Sequence, residues 1–297
     1  MVAVVGPTAT GKSDLGVALA LALGGEVVNA DAMQLYRGMD IGTAKLPGPQ
    51  RRGVPHHLLD VLDVRDEASV EAYQRRVAAV LDDIVARGAV PVLVGGSGLY
   101  VSAALDRLDI PPTDAAVRAR LEVEAADAGA AAMHQRLVGV DPVAAQRILP
   151  GNVRRVVRAL EVVEVTGRPF SASLPERRHL RPTVTLGLDA PRDVLAERIE
   201  LRVRTMWDDG LLAEAAALDR LGLRGGRTAS RAVGYAQALG RLDGVLTAEQ
   251  AQDDTARLTR RLARRQRSWF GRDPRITWLP HDAPDLLARA VAAVDAR

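Results

Sequence analysis

"GPTATGKS", residues 6–13, decides how the rest of the chain is read. Two glycines separated by four residues, then a lysine and a hydroxyl residue, form the phosphate-loop pattern, in which backbone N–H groups and the lysine ammonium surround phosphate oxygens. The loop is made of Gly6, Pro7, Thr8, Ala9, Thr10, Gly11, Lys12 and Ser13. It follows the apolar run Val2 to Val5 and precedes an amphipathic run from Ser13 to Leu23. That context reads as strand, turn and helix, and the helix N-terminus adds its dipole to the anion site. A hydroxyl at the position of Ser13 commonly holds a magnesium ion bridging phosphates, so Mg2+ is the expected cofactor.

Outward from the loop, strand and helix patterns alternate through the first hundred residues: "VAVV", a helix to about Leu23, "EVVNA", a helix from about Ser69 to Arg87, and "AVPVLVGG". Alternation of this kind predicts an α/β fold, a parallel sheet with helices on both faces and ligands at the carboxyl ends of the strands. From Asp109 the character changes, with Pro111 and Pro112 followed by Ala- and Arg-rich helical periodicity through residues 117–137 and 153–167. The prediction is a helical insertion domain at 109–182, with the phosphate-loop core at 1–108 and 183–297. Within the returning core, "TVTLGLD" reads as a strand, 191–221 as one long helix, a final helix starts near Thr247, and "RITWL" reads as a last strand.

Composition narrows the function classes. The 297 residues are 47% hydrophobic, ample for a packed core, and contain no cysteine, which excludes disulfides, thiolate metal sites and a cysteine nucleophile. No run of 18 apolar residues and no charged-then-apolar leader is present, so no membrane is expected and the cytoplasm is the default location. The working expectation is a monomer. A net charge of +3 does not by itself single out a nucleic-acid binder. Of the 40 cationic residues only Lys12 and Lys45 are lysines. A slender point charge suits a phosphate loop better than a forked guanidinium, and by the same logic Lys45 is a candidate second site lysine as well as an ordinary surface residue.

Most phosphate-loop enzymes that split or transfer phosphate from nucleoside triphosphates also need a carboxylate at the end of an apolar strand to help hold magnesium. The obvious strand here, Val90 to Val94, ends in Gly95 and Gly96, although Asp60 keeps that option open. Asp31, after "EVVNA", sits where a general base would lie beside a bound phosphate, and equally where a turn aspartate would. His56 and His57 lack partners at metal spacing and read as core or loop residues. Near the C-terminus, Arg257, Arg260, Arg261, Arg264, Arg265 and Arg267 recur at three- and four-residue spacing, ending in Trp269 and Phe270. This is either a stripe for nucleic-acid phosphates, with Arg154, Arg155 and Arg158 as a second cluster, or a solvated helix face.

At "NADAMQLYRGMDIGTAK" (29–45), taken with "GPTATGKS", "GGSGLY", "RRVVRALEV", "AVGYAQ" and "TRRLARRQRSWF", the chain resembles the bacterial tRNA dimethylallyltransferases, also called tRNA isopentenyltransferases. The likeness runs in the same order over nearly the whole chain. It implies transfer of the dimethylallyl group of dimethylallyl diphosphate to the exocyclic amine of the adenosine 3′ of the anticodon, in tRNAs that read codons beginning with U. The products would be isopentenyladenosine and diphosphate. The phosphate loop would then hold a leaving diphosphate, and Asp31 would remove the amine proton. Lys12, Arg202 in "RIELRVRTM", the loop N–H groups and magnesium bound through Ser13 would stabilise the departing charge. The target nucleotide would have to be flipped out of its stack.

The same resemblance assigns the tRNA path to Asp31, Ala32, Met33 and Gln34, to Ser97, Arg118, Arg154, Arg155 and Arg158, to the Arg231 to Ala236 segment with Gly234 and Tyr235, and to Thr259 to Gln266 with Arg260, Arg261, Arg264 and Arg265. The insertion would grip the anticodon stem-loop. Two departures stand out: Ala32 where the family usually has Ser, which removes a hydroxyl, and Ser97 where Thr is common, which keeps one. The rivals are an adenylate isopentenyltransferase acting on free AMP, ADP or ATP, for which the insertion and basic helix are superfluous, a phosphate-loop small-molecule kinase with Asp31 as base, and an RNA-binding protein with a decayed site.

Overall fold

The computed structural model describes residues 1–173 and 178–296; residues 174–177 of the predicted insertion lie outside the described residues. In chain order the elements are β1 (Val2–Val5), α1 (Lys12–Leu23), β2 (Gly25–Asn29), β3 (His56–His57), α2 (Val70–Ala86), β4 (Val90–Gly95), α3 (Gly98–Leu105), α4 (Ala115–Val140), α5 (Pro142–Arg147), α6 (Val153–Thr166), β5 (Val184–Asp189), α7 (Arg192–Asp208), α8 (Leu211–Arg220), α9 (Tyr235–Leu242), α10 (Ala248–Phe270), β6 (Ile276–Pro280) and α11 (Leu286–Asp295). They form two compact units, one of Met1–Leu105 with His179–Arg297 and one of Asp106–Arg178.

The larger unit is built on a six-stranded, all-parallel sheet in the order β3-β2-β4-β1-β5-β6. Parallel strands are covered on both faces and so read as unbroken apolar runs, as in the fully buried "VAVV" of β1. Val2, Val4, Val92, Val94, Leu186 and Leu188 pack with Leu15 and Leu19 of α1 and Ala290 of α11. The alternate residues point the other way, where α2 lays Tyr73, Val77, Leu81 and Ile84 inward. The register pairs Val5 with Gly95 and Asn29 with Val94, so the residues that follow β1, β2 and β4 emerge together at one edge of the sheet.

Two expectations change. The helix predicted over 191–221 is two helices, α7 and α8, because Gly210 takes a left-handed conformation (φ 103°) that breaks the run. The histidines at 56 and 57 form the short edge strand β3, and His57 Nε2 bonds Glu26 at 2.6 Å. The last long helix begins as expected after Thr247, whose hydroxyl accepts the Gln250 N–H while Gln250 Oε1 accepts the Thr247 N–H.

The smaller unit is helical. Leu121, Met133, Leu137, Ile148, Val156 and Leu160 of α4 to α6 and the intervening turn form its core, and α4 kinks at Gly129 (φ 82°). It runs from Asp106 to Arg178, where 109–182 was expected, and the Leu180 N–H to Leu105 O bond (2.7 Å) lies within the larger unit. Among the described residues no helix is long and apolar enough to cross a membrane.

Candidate active site

The loop after β1 is shaped by steric need. Gly6 has φ 135°, and a Cβ there would lie 2.2 Å from Leu188 O, so only glycine fits. Gly11 (φ 87°) turns the chain into α1, and Ala9 also holds a positive φ of 65°. Thr10 Oγ1 and Lys12 Nζ both donate to Pro7 O, closing the loop on itself. Thr8 is held from two sides: its N–H donates to Gln266 Oε1 at 2.8 Å, and its hydroxyl accepts from Arg202 at 3.1 Å. The loop therefore ties to α7 and to α10.

Asp31 follows β2 and is held by its neighbours. Its N–H donates to Asn29 Oδ1 at 2.9 Å, and Asn29 Nδ2 donates to the carbonyls of Asp31 and Leu58, each at 3.0 Å. The carboxylate accepts the Met33 N–H at 2.9 Å, and the Ala32 N–H reaches Ser97 Oγ at 3.2 Å. Sequence reasoning missed Asn29, the buried last residue of β2, whose amide fixes the backbone on which Asp31 stands.

Electrostatics set these groups against each other. Burial, reinforced by the like charge of Arg202, pushes the Lys12 ammonium down to about 7, with Asp31 opposing. Burial pushes the Asp31 carboxyl upward, against the pull of the Met33 N–H and of Lys12. Arg202 is pulled down by burial and by Arg198. Three titratable groups held away from their ordinary ranges beside one loop mark a site prepared for a charged ligand.

Two cavities meet at this constellation. One of about 420 Å³ is lined by Thr8, Asp31, Ser97, Arg202, Gln266 and Trp269, among others. One of about 930 Å³ is lined by Lys12, Ser13, Arg51, Arg198 and Arg202, among others. Arg202 borders both. Gly96 and Gly98 admit α10 closely: a Cβ at either would come within 2.4 Å of Gln266 Nε2 or Trp269 respectively. Among the described residues no group of three or more His, Asp or Glu side chains is placed to hold a metal ion.

Other sequence-predicted residues take varied positions. Met33 borders the smaller cavity, while Gln34 Nε2 donates to Thr43 O at 3.1 Å. Lys45 borders the larger cavity, where it donates to Tyr36 O and pairs with Asp40 and Asp60 at 2.5 and 2.6 Å, which also occupies Asp60. Tyr235 is fully buried with its hydroxyl on Glu214, so it presents no surface to a ligand, and Gly234 caps α9 at φ 94°. Glu214, which no motif marked, also accepts the N–H groups of Asp40, Ile41 and Gly42 and so holds the loop that edges both cavities.

The basic helix sorts itself. Arg257 pairs with Asp254, Arg260 with Glu200 and Arg267 with Asp189. Arg261, Arg264 and Arg265 are exposed without an ion-pair partner among the described residues, and Arg265 and Arg231 border the smaller cavity. In the helical unit, Arg118 and Arg158 both turn inward to the fully buried Glu161 at 2.8 and 2.9 Å, while Arg154 and Arg155 are exposed and unpaired among the described residues.

Comparison with known proteins adds kinship to this geometry. Residues 34–273 match the family described as IPP transferase. A tRNA dimethylallyltransferase of Thermobifida fusca is 62% identical over 99% of this chain and 94% of its own length, and one of Kineococcus radiotolerans is 62% identical over 96% and 91%. The crystal structure of a tRNA isopentenylpyrophosphate transferase from Bacillus halodurans superposes with a TM-score of 0.73 at 40% identity, covering 99% of this chain and 95% of the other. A eukaryotic dimethylallyltransferase acting on tRNA superposes with a TM-score of 0.82 at 27% identity over 98% and 77%.

Proposed function

We infer the reaction from kinship and geometry together: the chain belongs to the IPP transferase family, and it moves the dimethylallyl group of dimethylallyl diphosphate onto the exocyclic amine of the adenosine 3′ of the anticodon, in tRNAs that read codons beginning with U. The observation that supports this most is that a carboxylate, Asp31, and a phosphate loop braced by Arg202 border one cavity, while the strand that would carry a nucleotidase carboxylate ends in Gly95 and Gly96.

In this reading the adenine amine attacks the allylic carbon, the carbon–oxygen bond to diphosphate breaks, and Asp31 accepts the amine proton. Burial raises the affinity of Asp31 for that proton. Lys12, Arg202 and the loop N–H groups take up the charge that develops on the leaving oxygens; loss of one such partner costs on the order of 10² to 10³ in rate. Magnesium, when bound, neutralises phosphate charge. Ser13 is the residue that would hold it: its hydroxyl sits in the first turn of α1, borders the larger cavity and has no hydrogen-bond partner among the described residues. One hydroxyl suits an ion that fills its shell from phosphate oxygens and water. Arg231, Arg261, Arg264 and Arg265 supply phosphate contacts from the larger unit and Arg154 and Arg155 from the helical unit, which grips the anticodon stem-loop. The protein acts as a cytoplasmic monomer.

The test is acceptor identity. Purified protein with isotopically labelled dimethylallyl diphosphate and magnesium is expected to label a tRNA carrying adenosine 3′ of its anticodon. Label on AMP in place of tRNA would support the adenylate reading, and phosphate transfer from ATP a kinase.

A further inference from the structure

Gln266 lies on α10, 7% exposed, with its amide against the phosphate loop. A backbone N–H must face an acceptor, so the 2.8 Å bond from Thr8 N–H fixes the amide orientation, with Oε1 toward the loop and Nε2 away from it. Nε2 lies over Gly96, where a Cβ would stand 2.4 Å from it; glycine keeps that space for the amide. The amide nitrogen has no hydrogen-bond partner among the described residues. Gln266 also lines the smaller cavity, together with Asp31 and Ser97. An oriented amide donor that faces a cavity and has no protein acceptor is free to bond a ligand there.

We propose that Gln266 Nε2 donates a hydrogen bond to a ring nitrogen flanking the exocyclic amine of the target adenine, N1 or N7, while Asp31 accepts from the amine itself. The proposal rests on the adenine reading above. Adenine presents its amine donor between two ring acceptors, so an amide donor beside a carboxylate acceptor matches it. Guanine and hypoxanthine place an oxygen where Asp31 needs a donor, and at N1 they offer a proton where Gln266 needs an acceptor. Nearby Lys12 and Arg202 carry the charge suited to diphosphate, whereas a neutral amide suits a neutral ring nitrogen. Gln266 is thus a positioning and discriminating residue: it makes no bond to the prenyl group and orients the amine toward it.

The experiment is a cycle between one side chain and one base atom. Single-turnover transfer is measured with anticodon stem-loops carrying adenosine, 1-deazaadenosine or 7-deazaadenosine at the target position, for the unaltered protein and for Gln266→Glu. Glutamate can still accept the Thr8 N–H but offers no donor. Removing a ring nitrogen also changes the reactivity of the amine, and that change is common to both proteins, so the coupling isolates the contact. For one of the two deaza substrates, the unaltered protein should lose about tenfold more than Gln266→Glu does, because the variant has already lost the bond. Equal losses in both proteins for both deaza substrates would overturn the proposal, as would a variant whose only defect is weaker binding of inorganic diphosphate. Gln266→Met, of similar length, supplies the same comparison if the glutamate variant fails to fold. Normal labelling of adenosine with no such coupling would reject this contact and leave the function intact.

Discussion

At the scale of single residues, the site works by holding charges where they are uncomfortable until a ligand arrives. Lys12 is the sharpest case, since burial and the neighbouring Arg202 push its ammonium down to about 7. Diphosphate would restore its charge, so binding at pH 8 should take up protons, and calorimetry in buffers of different ionisation enthalpy reads that number directly. The sign for stability runs the same way: the cost of the buried ammonium is fully present below pH 7 and fades as pH rises toward the unfolded value near 10.5. Lys12→Met should therefore stabilise the ligand-free protein at neutral pH, on the order of a few kcal/mol, with the gain lost by pH 11. Asp31→Asn should keep tRNA affinity while losing turnover by about 10² or more; unchanged turnover would remove Asp31 from the chemistry. Asp31 was legible in the sequence because it follows a strand end, but Asn29, Glu214 and the Thr8 contact of Gln266 were not. Glu214 and Gln266 act through hydrogen bonds to segments far along the chain, which no local pattern records, and Asn29 joins a local turn about Asp31 to a distant bond with Leu58 O.

At the scale of elements, periodicity and caps carried most of the reading. Five of the six strands lie where apolar runs put them, and β3 escaped because a two-residue edge strand of histidines has no period to detect. The break between α7 and α8 turned on Gly210, whose left-handed turn outweighed helical periodicity on both sides. In α10, spacing showed six arginines, most of them along one broad face, but not that Asp254, Glu200 and Asp189 employ three of them. The structure thus divides the stripe: replacing Arg261 and Arg264 by Ala should weaken tRNA binding and reduce the slope of log affinity against log salt by about 1 to 2. Arg257→Ala should leave that slope unchanged. A double variant with an unaltered slope would return α10 to a solvated face. In the helical unit the same reasoning runs the other way. Arg118 was expected on the tRNA path from family likeness, yet it neutralises the buried Glu161. Arg118→Ala should cost about 1 to 2 kcal/mol in the stability of that unit, visible in denaturant unfolding, because Arg158 still faces Glu161 at 2.9 Å.

At the scale of the whole molecule, a nucleotide-type core has been turned to another use. The parallel sheet brings the ends of β1, β2 and β4 together, and the glycines after β4 give up a metal-binding carboxylate and let α10 approach the loop. The helix that offers unpaired arginines outward therefore touches the phosphate loop inward through Gln266. The fold class was readable from one eight-residue stretch and the alternation around it; the meaning of the site was not, because a phosphate loop is indifferent to what its phosphates are attached to. The most direct measurement is a crystal structure with a non-hydrolysable dimethylallyl diphosphate analogue and an anticodon stem-loop. The account predicts phosphates on the N–H groups of residues 6–13 and the amine of an extruded adenine within hydrogen-bonding distance of Asp31, whereas phosphates bound elsewhere, or an adenine remote from Asp31, would contradict it.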